Sequence, residues 1–238
     1  MREVILSEHL KQEVSQLTHA AKQSISLSIV FIILGIILTL FSLTILGIGF
    51  FVIAFILFFV ALKNLNKKNI FQAGLEGEER LKKTLNRILS DKYTAFFGYQ
   101  TKKGKDIDCI VTGPKGVFVI EVKNHRGIVS YDGKNWSYLK VGKKGGIYEG
   151  FLKNPDRQVI QNSAEIRKLL FSNGIKVPVF ALLVFTHEEV KLNISEFDNK
   201  KFRILRLEEL PQFFEPIPER LKNETVEKIN RLIEEKGK

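Results

Sequence analysis

The stretch Asp106-Ile-Asp-Cys-Ile-Val-Thr-Gly-Pro-Lys-Gly-Val-Phe-Val-Ile-Glu-Val-Lys123 decides the fold of this chain. Both of its arms are rich in Ile, Val and Phe, and the central Gly-Pro-Lys-Gly favours a tight turn, so the stretch predicts a β-hairpin. If the hairpin closes symmetrically about this turn, Asp108 lies opposite Glu121 and Asp106 lies opposite Lys123. Side chains two apart on a strand share a face, so these four charged groups are expected on one side of the hairpin.

The opposed carboxylates of Asp108 and Glu121 are the unusual feature of this hairpin. Directly opposed side chains lie about 4.5–5.5 Å apart, and like charges at that separation destabilise the pairing. The pattern therefore indicates a cation between them, and a divalent metal with oxygen ligands is the best candidate, with Lys123 as a further positive charge nearby. Asp106 fits two interpretations, a metal ligand or a partner of Lys123. The alternative is a solvated hairpin face whose ion pairs contribute little.

A third carboxylate comes from a predicted helix over residues 74–90. Leu75, Leu81 and Leu85 recur there at helical spacing, and Glu78 points from the centre of the same apolar stripe. A carboxylate on a core-facing stripe is costly unless it is paired or bound to a metal. We therefore expect Glu78 to face inward and to join the two carboxylates of the hairpin.

The N-terminal part of the chain is strongly apolar. Residues 25–62 contain no charged side chain. A membrane-spanning helix needs about 20 residues, so this run is too long for one span and suits two spans joined by a short turn. We expect a two-helix transmembrane hairpin over residues 24–62 that reverses near Leu46–Gly49. One long, tilted or kinked helix is the alternative.

The flanks of the apolar run predict its orientation. Lysines stand on both sides, at Lys22, Lys63, Lys67 and Lys68. Positive flanks favour the cytoplasm, so we expect a two-span cell-membrane protein whose N-terminus and following domain are cytoplasmic. The chain has a net charge of +11 and one cysteine, Cys109, which fits a reducing compartment. The basic charge lies after residue 62 and is compatible with nucleic acid or with anionic lipid as a partner.

The remaining pattern predicts how the chain is organised. Alternating strand and helix signals after residue 74 indicate an α/β domain. The expected segments are an amphipathic N-terminal helix (1–23), the transmembrane hairpin (24–62), a basic linker (63–73), the domain core (74–186), and a C-terminal strand and helices that close the domain (187–238). Asn154 and Pro155 predict the start of a helix that runs to about Phe171.

Several motifs together resemble one known family. They are Gly74-Leu-Glu-Gly-Glu78, Asp106-Ile-Asp108, Gly116-Val-Phe-Val-Ile-Glu-Val-Lys-Asn124 and Asn154-Pro-Asp-Arg-Gln158. In this order and spacing they are similar to the motifs of the nuclease-related domain, which belongs to the PD-(D/E)xK nuclease superfamily. The resemblance covers roughly residues 74–186 and implies a restriction-endonuclease-like fold, with a mixed central sheet flanked by helices.

The resemblance also implies roles for individual residues. Asp108, Glu121 and Lys123 would be the acidic pair and the lysine of the catalytic motif, Glu78 a further metal-holding acid, and Gln158 the glutamine that borders the site. Asp108, Glu121 and Glu78 would then hold Mg²⁺ or Mn²⁺, which acts as a Lewis acid and lowers the pKa of bound water. The implied function is metal-dependent hydrolysis of phosphodiester bonds in DNA or RNA.

Two other functions fit the same sequence. One is a catalytically inactive, membrane-tethered module that binds nucleic acid or recruits a partner. The other is a membrane-surface protein whose basic domain holds anionic lipid.

The other conspicuous side chains have ordinary interpretations. Tyr138 and Trp136 can stack on a base but fit strand packing better, and His125 fits a surface loop. The lysines expected to flank the site are Lys102, Lys103, Lys105 and Lys115. The oligomeric state is left open by the sequence.

Overall fold

The described part of this computed structural model comprises residues 1–41, 43–101, 106–141, 146–194 and 201–237. The chain divides into two compact units. One contains residues His9–Leu75, and the other contains Met1–Glu8 together with Glu76–Lys238. Each unit is described separately below.

The larger unit is an α/β domain with two sheets. Its strands are β1 (Arg2–Ile5), β2 (Thr94–Gln100), β3 (Asp106–Gly113), β4 (Gly116–Lys123), β5 (Gly127–Tyr131), β6 (Trp136–Val141), β7 (Ile147–Phe151), β8 (Val179–Phe185), β9 (Val190–Ile194) and β10 (Arg203–Arg206). The helices in or entering it are α2 (Thr44–Ile88), α3 (Pro155–Ser172), α4 (Leu210–Phe214) and α5 (Asn223–Lys236). The expected mixed α/β class is confirmed.

The central sheet has six strands in the order β1-β2-β3-β4-β8-β10. Strands β2, β3 and β4 are antiparallel neighbours, whereas β1 pairs with β2, and β8 with β4 and β10, in parallel. The second sheet has the order β7-β6-β5-β9. Strand β5 follows β4 after only three residues, so the second sheet begins directly beside the end of β4 that carries Lys123.

Apolar side chains cover both faces of the central sheet. On one face the C-terminal turns of α2 and the short helix α4 contribute Leu81, Leu85, Leu210 and Phe214. On the other face α3 and α5 contribute Ile166, Leu170, Ile229 and Ile233. A third cluster joins the second sheet to α3 and β8 through Trp136, Val159 and Phe185. The central sheet is therefore enclosed between two helical layers, as its near-continuous apolar strands require.

The register of the β3–β4 hairpin agrees with the prediction as far as the ladder extends. The pairs run from Gly113 with Gly116 to Cys109 with Ile120. Beyond that point β3 stays paired with β2, where Asp106 lies opposite Gln100. The expected pairing of Asp106 with Lys123 is therefore wrong, because the two hairpin strands separate before they reach those residues.

The smaller unit is a pair of antiparallel helices formed by α1 (His9–Leu40) and the first part of α2. Small residues recur every seven positions on both helices, with Ala21, Ser28 and Gly35 facing Gly47, Ala54 and Ala61, and all of them are buried. The Ser28 hydroxyl donates a hydrogen bond of 2.9 Å to the carbonyl of Ala54. Small side chains allow the two backbones to approach closely, so the interface rests on packing rather than on charge.

The reversal of the helix pair does not lie where the sequence analysis placed it. The chain turns between Leu40 and Thr44, and Leu46–Gly49 is helical. A Cβ atom at Gly47 would lie 2.8 Å from the hydroxyl oxygen of Thr39 and 3.0 Å from the carbonyl oxygen of Gly35. Gly47 therefore serves close helix packing, which explains why a glycine near the middle of the run did not mark the turn.

Two other expectations differ from the structure. The amphipathic helix expected over residues 1–23 begins only at His9, because Arg2–Ile5 forms strand β1 and pairs with Thr94–Phe97 of β2. The basic stretch 63–73, expected as a linker, is helical and lies within α2. The basic residues there continue the helix because Lys and Asn side chains on its surface do not interrupt the helical hydrogen bonds.

Candidate active site

Four structural elements bring the sequence-derived site residues to one end of the central sheet. Glu78 lies on α2, Asp108 on β3, Glu121 and Lys123 on β4, and Gln158 in the first turns of α3. Glu121 and Lys123 are two apart on a strand and therefore project to the same face. The site consequently combines side chains from both helical layers and from the hairpin between them.

Asp108 occupies the point where β3 and β4 separate. Its Oδ2 accepts a hydrogen bond of 2.7 Å from the backbone N–H of Val122. This bond replaces a backbone pairing that would otherwise continue the ladder beyond Cys109 and Ile120. The Asp108 carboxylate is therefore held against β4, immediately next to Glu121.

Lys123 connects the acidic residues to α3. Its ammonium donates a hydrogen bond of 2.5 Å to Oε1 of Glu121 and a longer one of 3.5 Å to Oε1 of Gln158. The side chain of Glu121 is only 1% exposed, whereas that of Lys123 is 24% exposed. Lys123 thus lies between a buried carboxylate and solvent, where it can contact a bound anion.

The carboxylates of the site repel one another and are poorly solvated. Burial is the main cause that raises the pKa of Glu121 to about 8, and the charge of Asp108 raises it further. Burial also raises the pKa of Glu78 to about 8, with Asp108 as the second cause. The pKa of Asp108 is raised by burial, although the Lys123 charge and the Val122 N–H oppose this. Such concentrated negative charge attracts a cation.

Lys123 already supplies one positive charge to the carboxyl groups of the site. Burial by itself disfavours its charged form, but the carboxylates of Glu121 and Asp108 raise the pKa of Lys123 above its ordinary value. One lysine cannot neutralise three nearby carboxyl groups, so the site favours either proton uptake or a further positive charge.

The fit of this site to a divalent metal depends on which carboxylate oxygens it offers. Oε2 of Glu121 is buried and has no hydrogen-bond partner among the described residues. Asp108 and Glu121 supply the carboxylate oxygens that Mg²⁺ and Mn²⁺ prefer. Within the described ranges, however, no group of three or more His, Cys, Asp or Glu side chains is arranged to hold a metal ion. The fit therefore rests on the pair Asp108 and Glu121, with Glu78 linked to them electrostatically.

A glycine lets α2 approach the end of the sheet. A Cβ atom at Gly77 would lie 2.9 Å from both the Cβ of Asn124 and the hydroxyl oxygen of Thr186, and 3.1 Å from a methyl of Val122. Thr186 is bound to the same region by its backbone N–H, which donates to the carbonyl of Lys123 at 3.1 Å. Sequence reasoning did not single out Gly77 or Thr186, although the Gly-Glu pair at 77 and 78 was a signal for close packing.

Some residues singled out in the sequence lie elsewhere. Asp106 is exposed and does not pair with Lys123, but its charge contributes to the raised pKa of Glu78. Lys115 stands at the turn of the hairpin, at the opposite end from the site, and donates to the carbonyls of Phe214 and Glu215 at 2.7 and 3.2 Å. Lys115 therefore holds the end of α4 and does not flank the site. Lys102, Lys103 and Lys105 lie outside the described residues.

The two aromatic candidates have different surroundings. Trp136 is 1% exposed, and its ring N–H donates to a carboxylate oxygen of Asp156 at 3.0 Å, so its interpretation as a packing residue agrees with the structure. Tyr138 is half-buried, and its ring centroid lies 5.4 Å from that of His125. His125, which sequence reasoning set aside, is thus placed beside the site by the short connection after Lys123.

Comparison with known proteins identifies one family. Residues 73–186 match the family model described as "Nuclease-related domain" (NERD). This range contains every residue of the cluster described above, from Glu78 to Gln158. No curated protein and no solved structure matches the chain.

Proposed function

Since residues 73–186 of this chain match the nuclease-related domain, which is consistent with the PD-(D/E)xK superfamily, we propose that the protein is a membrane-anchored, metal-dependent nuclease that hydrolyses phosphodiester bonds of DNA or RNA. The observation that carries the proposal is the contact between Lys123 and Glu121 beside Asp108. An acidic pair and a lysine at one strand end supply both negative ligands for a cation and a positive group for a phosphate.

The proposed roles follow from burial and charge. Asp108 and Glu121, with Glu78 nearby, would hold Mg²⁺ or Mn²⁺, which when bound polarises a phosphoryl oxygen and acidifies water. Lys123 reaches toward solvent from the buried Glu121 and would stabilise the negative charge that develops on the phosphate. Gln158, within hydrogen-bonding distance of the Lys123 ammonium, would keep that ammonium oriented.

The membrane anchor is proposed from the helical unit. Helices α1 and α2 are long enough and apolar enough to cross a membrane. Within the most apolar 18-residue stretch of each helix, only 11% of α1 and 17% of α2 is buried. The two helices therefore do not resemble core helices of a soluble protein. Large apolar side chains near the reversal, such as Ile45 and Leu40, are 85% and 78% exposed. Lipid would cover this surface.

Strand β1 supports the proposed topology. It precedes both apolar helices in the chain, yet it pairs with β2 of the α/β domain. In the proposed topology the N-terminus and the domain would therefore lie on the same side of a membrane, which requires an even number of spans. Lysines at both flanks favour the cytoplasmic side.

The decisive experiment uses the full-length chain in detergent, because β1 belongs to the domain and a truncation at residue 75 would remove it. Labelled single- and double-stranded DNA and RNA are incubated with Mg²⁺, Mn²⁺ or EDTA. We expect metal-dependent cleavage that Asp108→Ala and Lys123→Ala abolish. Lys168→Ala, which removes an exposed lysine of α3, is the matched control and is expected to cleave normally. Equal cleavage by Lys123→Ala and by wild type would refute the proposal.

A non-catalytic nucleic-acid-binding module is the second candidate. The observation in its favour is that the described residues contain no three-ligand group, while Lys123 already pairs with Glu121. This candidate predicts salt-sensitive binding without cleavage and without dependence on a divalent metal. Binding in EDTA that Mg²⁺ leaves unchanged, combined with no cleavage of any substrate, would favour it over the nuclease.

A further inference from the structure

The second sheet carries a row of side chains beside the candidate site. Strands β6 and β7 are antiparallel, with Tyr138 opposite Gly150 and Lys140 opposite Tyr148. Directly paired residues share a face, and so do residues two apart on a strand. Tyr138, Lys140 and Tyr148 therefore project from the same face, with the two tyrosines as diagonal neighbours about 7–8 Å apart at the backbone.

Gly150 leaves room for the ring of Tyr138, which extends over it from the neighbouring strand. A Cβ atom at Gly150 would lie 2.6 Å from the ring carbon and the hydroxyl oxygen at the end of the Tyr138 side chain. The missing side chain thus makes room for the Tyr138 ring on this face. The ring is positioned by the fold, which reduces the entropy that a ligand stacking beside it would have to remove.

His125 connects this row to the candidate site. It lies two residues after Lys123, and its ring centroid is 5.4 Å from that of Tyr138. Burial, as the main cause, and the charges of Lys123 and Lys140 together lower the pKa of His125 to about 4. The imidazole is therefore neutral at pH 7 and lies in the field of both lysines, one in the site and one in the row.

Tyr148 belongs to none of the buried apolar clusters among the described residues. It is 61% exposed, whereas Trp136, on the same face of the sheet, is 1% exposed and belongs to the core. Proteins hold unpaired bases with exposed aromatic rings next to cationic side chains. The rings stack on the faces of the bases, and the cations contact the backbone phosphates. Tyr148 and Lys140 provide such a pair near the candidate phosphodiesterase site. Bases inside a duplex stack on each other and do not present these faces.

We propose that Tyr138, Lys140 and Tyr148 form a platform that binds single-stranded nucleic acid, DNA or RNA, and leads its backbone past His125 to Lys123. This inference rests on the proposed nuclease function for the site at its end, and it adds the substrate class. Stacking would be carried by Tyr148 and the phosphate contact by Lys140, with Tyr138 as the fixed ring at the end of the platform nearest the site.

The test measures binding by the full-length chain in detergent, with EDTA present so that no strand is cut. Fluorescence anisotropy gives the Kd for fluorescent oligonucleotides of one length, as single-stranded DNA, single-stranded RNA and the corresponding duplexes. We expect Tyr148→Ala to weaken single-strand binding about tenfold, in line with the loss of one stacked base, and Tyr148→Phe to restore it. Duplex binding is expected to be weaker than single-strand binding and to be unchanged by Tyr148→Ala.

The opposite face of the same strand supplies the matched control. Phe151 is 83% exposed and, three positions from Tyr148, projects from the other face of β7, so Phe151→Ala removes an exposed ring without touching the platform. Lys140→Gln is expected to lower the slope of log Kd against log salt by about 0.7 for single strands, whereas Lys191→Gln, on the other face, is expected to leave it unchanged. Thermal unfolding confirms that each variant is folded.

The outcomes separate this inference from the proposed function. Tighter binding of duplex than of single strands, or equal losses for Tyr148→Ala and Phe151→Ala, would overturn the platform even if the wild type cleaves duplex DNA with Mg²⁺. Selective loss of single-strand binding in Tyr148→Ala would support the platform even if no substrate were cleaved. In that second case the nuclease proposal alone would fail.

Discussion

The ammonium of Lys123 lies 2.5 Å from Oε1 of Glu121, while Oε2 of the same carboxylate is buried without a hydrogen-bond partner among the described residues. One oxygen of the Glu121 carboxylate therefore has a charged partner, and the other oxygen has no hydrogen-bond partner among the described residues. Leaving a buried acceptor unsatisfied costs about 1–3 kcal/mol. Structures tolerate that cost mainly where the free atom has a further task, such as binding a cation.

Replacing Lys123 by Met tests the role of the ion pair between Lys123 and Glu121. Without the ammonium, the buried Glu121 loses its partner, so the pKa of Glu121 should rise further above about 8 and the carboxyl should stay protonated over a wider pH range. We expect cleavage to fall at least about 100-fold, a loss typical of removing one charge-stabilising group. Measured kcat should fall while the melting temperature in EDTA changes little, because the protonated Glu121 no longer carries an unpaired charge. A large drop in melting temperature with normal kcat would instead make Lys123 a structural residue.

The pKa values of Glu78 and Glu121 predict how stability depends on pH. Both groups have an ordinary pKa of about 4.5 in the unfolded chain and about 8 in the folded protein. The folded state then binds more protons than the unfolded state between these values, so the stability that these two groups contribute is fully present below about pH 4.5 and is lost as the pH rises through 8. In EDTA we expect the melting temperature to fall across this window.

Two variants and added Mg²⁺ test whether the raised pKa values cause this pH dependence. Glu78→Gln should flatten the fall, since its side chain does not ionise, whereas Glu227→Gln, at an exposed position of α5, should leave it unchanged. Each unit of pKa shift corresponds to about 1.4 kcal/mol, and 1 kcal/mol corresponds to about 2–4 °C for a protein of this size. If Mg²⁺ binds the ionised carboxylates, its stabilising effect should grow with pH. A flat profile for wild type would contradict the repulsion inferred for this site.

Gly77→Ala should damage both stability and activity. The new Cβ would lie 2.9 Å from atoms of Asn124 and Thr186, so α2 would have to move away from the end of the sheet. Overpacking of this kind costs about 1–3 kcal/mol, and the movement would displace the adjacent Glu78. Gly74→Ala is the control in the same helix, because its Cβ would meet only a methyl of Leu10 at 3.9 Å. Since alanine favours a helix interior, this variant should be as stable as wild type or slightly more so. Similar melting temperatures for both variants would mean that the contact at Gly77 is not limiting.

The sequence predicts the parts of the site whose geometry depends on local periodicity. The register of the hairpin follows from its turn, and the inward direction of Glu78 follows from its spacing to Leu81 and Leu85. Strand β1 was missed because its four residues carry two charges and only one partly buried side chain, so its position depends on a partner more than 90 residues away. The reversal of the helix pair was misplaced because the whole run is uncharged, so no charge marks its ends, and because glycine serves packing as well as turning.

The pairing of β1 with β2 leads to a prediction about membrane topology. If the apolar helices cross a membrane as a hairpin, Glu8 and Glu227 lie on one side and Phe41, which is 76% exposed next to the reversal, lies on the other. The native Cys109 is buried and should not react with a membrane-impermeant maleimide. Single variants Glu8→Cys, Phe41→Cys and Glu227→Cys can therefore be labelled without removing it. In intact cells we expect only Phe41→Cys to react, and in inside-out vesicles only the other two. Labelling of Glu8→Cys and Glu227→Cys from opposite sides would require an odd number of spans, and β1 could then not pair with the domain.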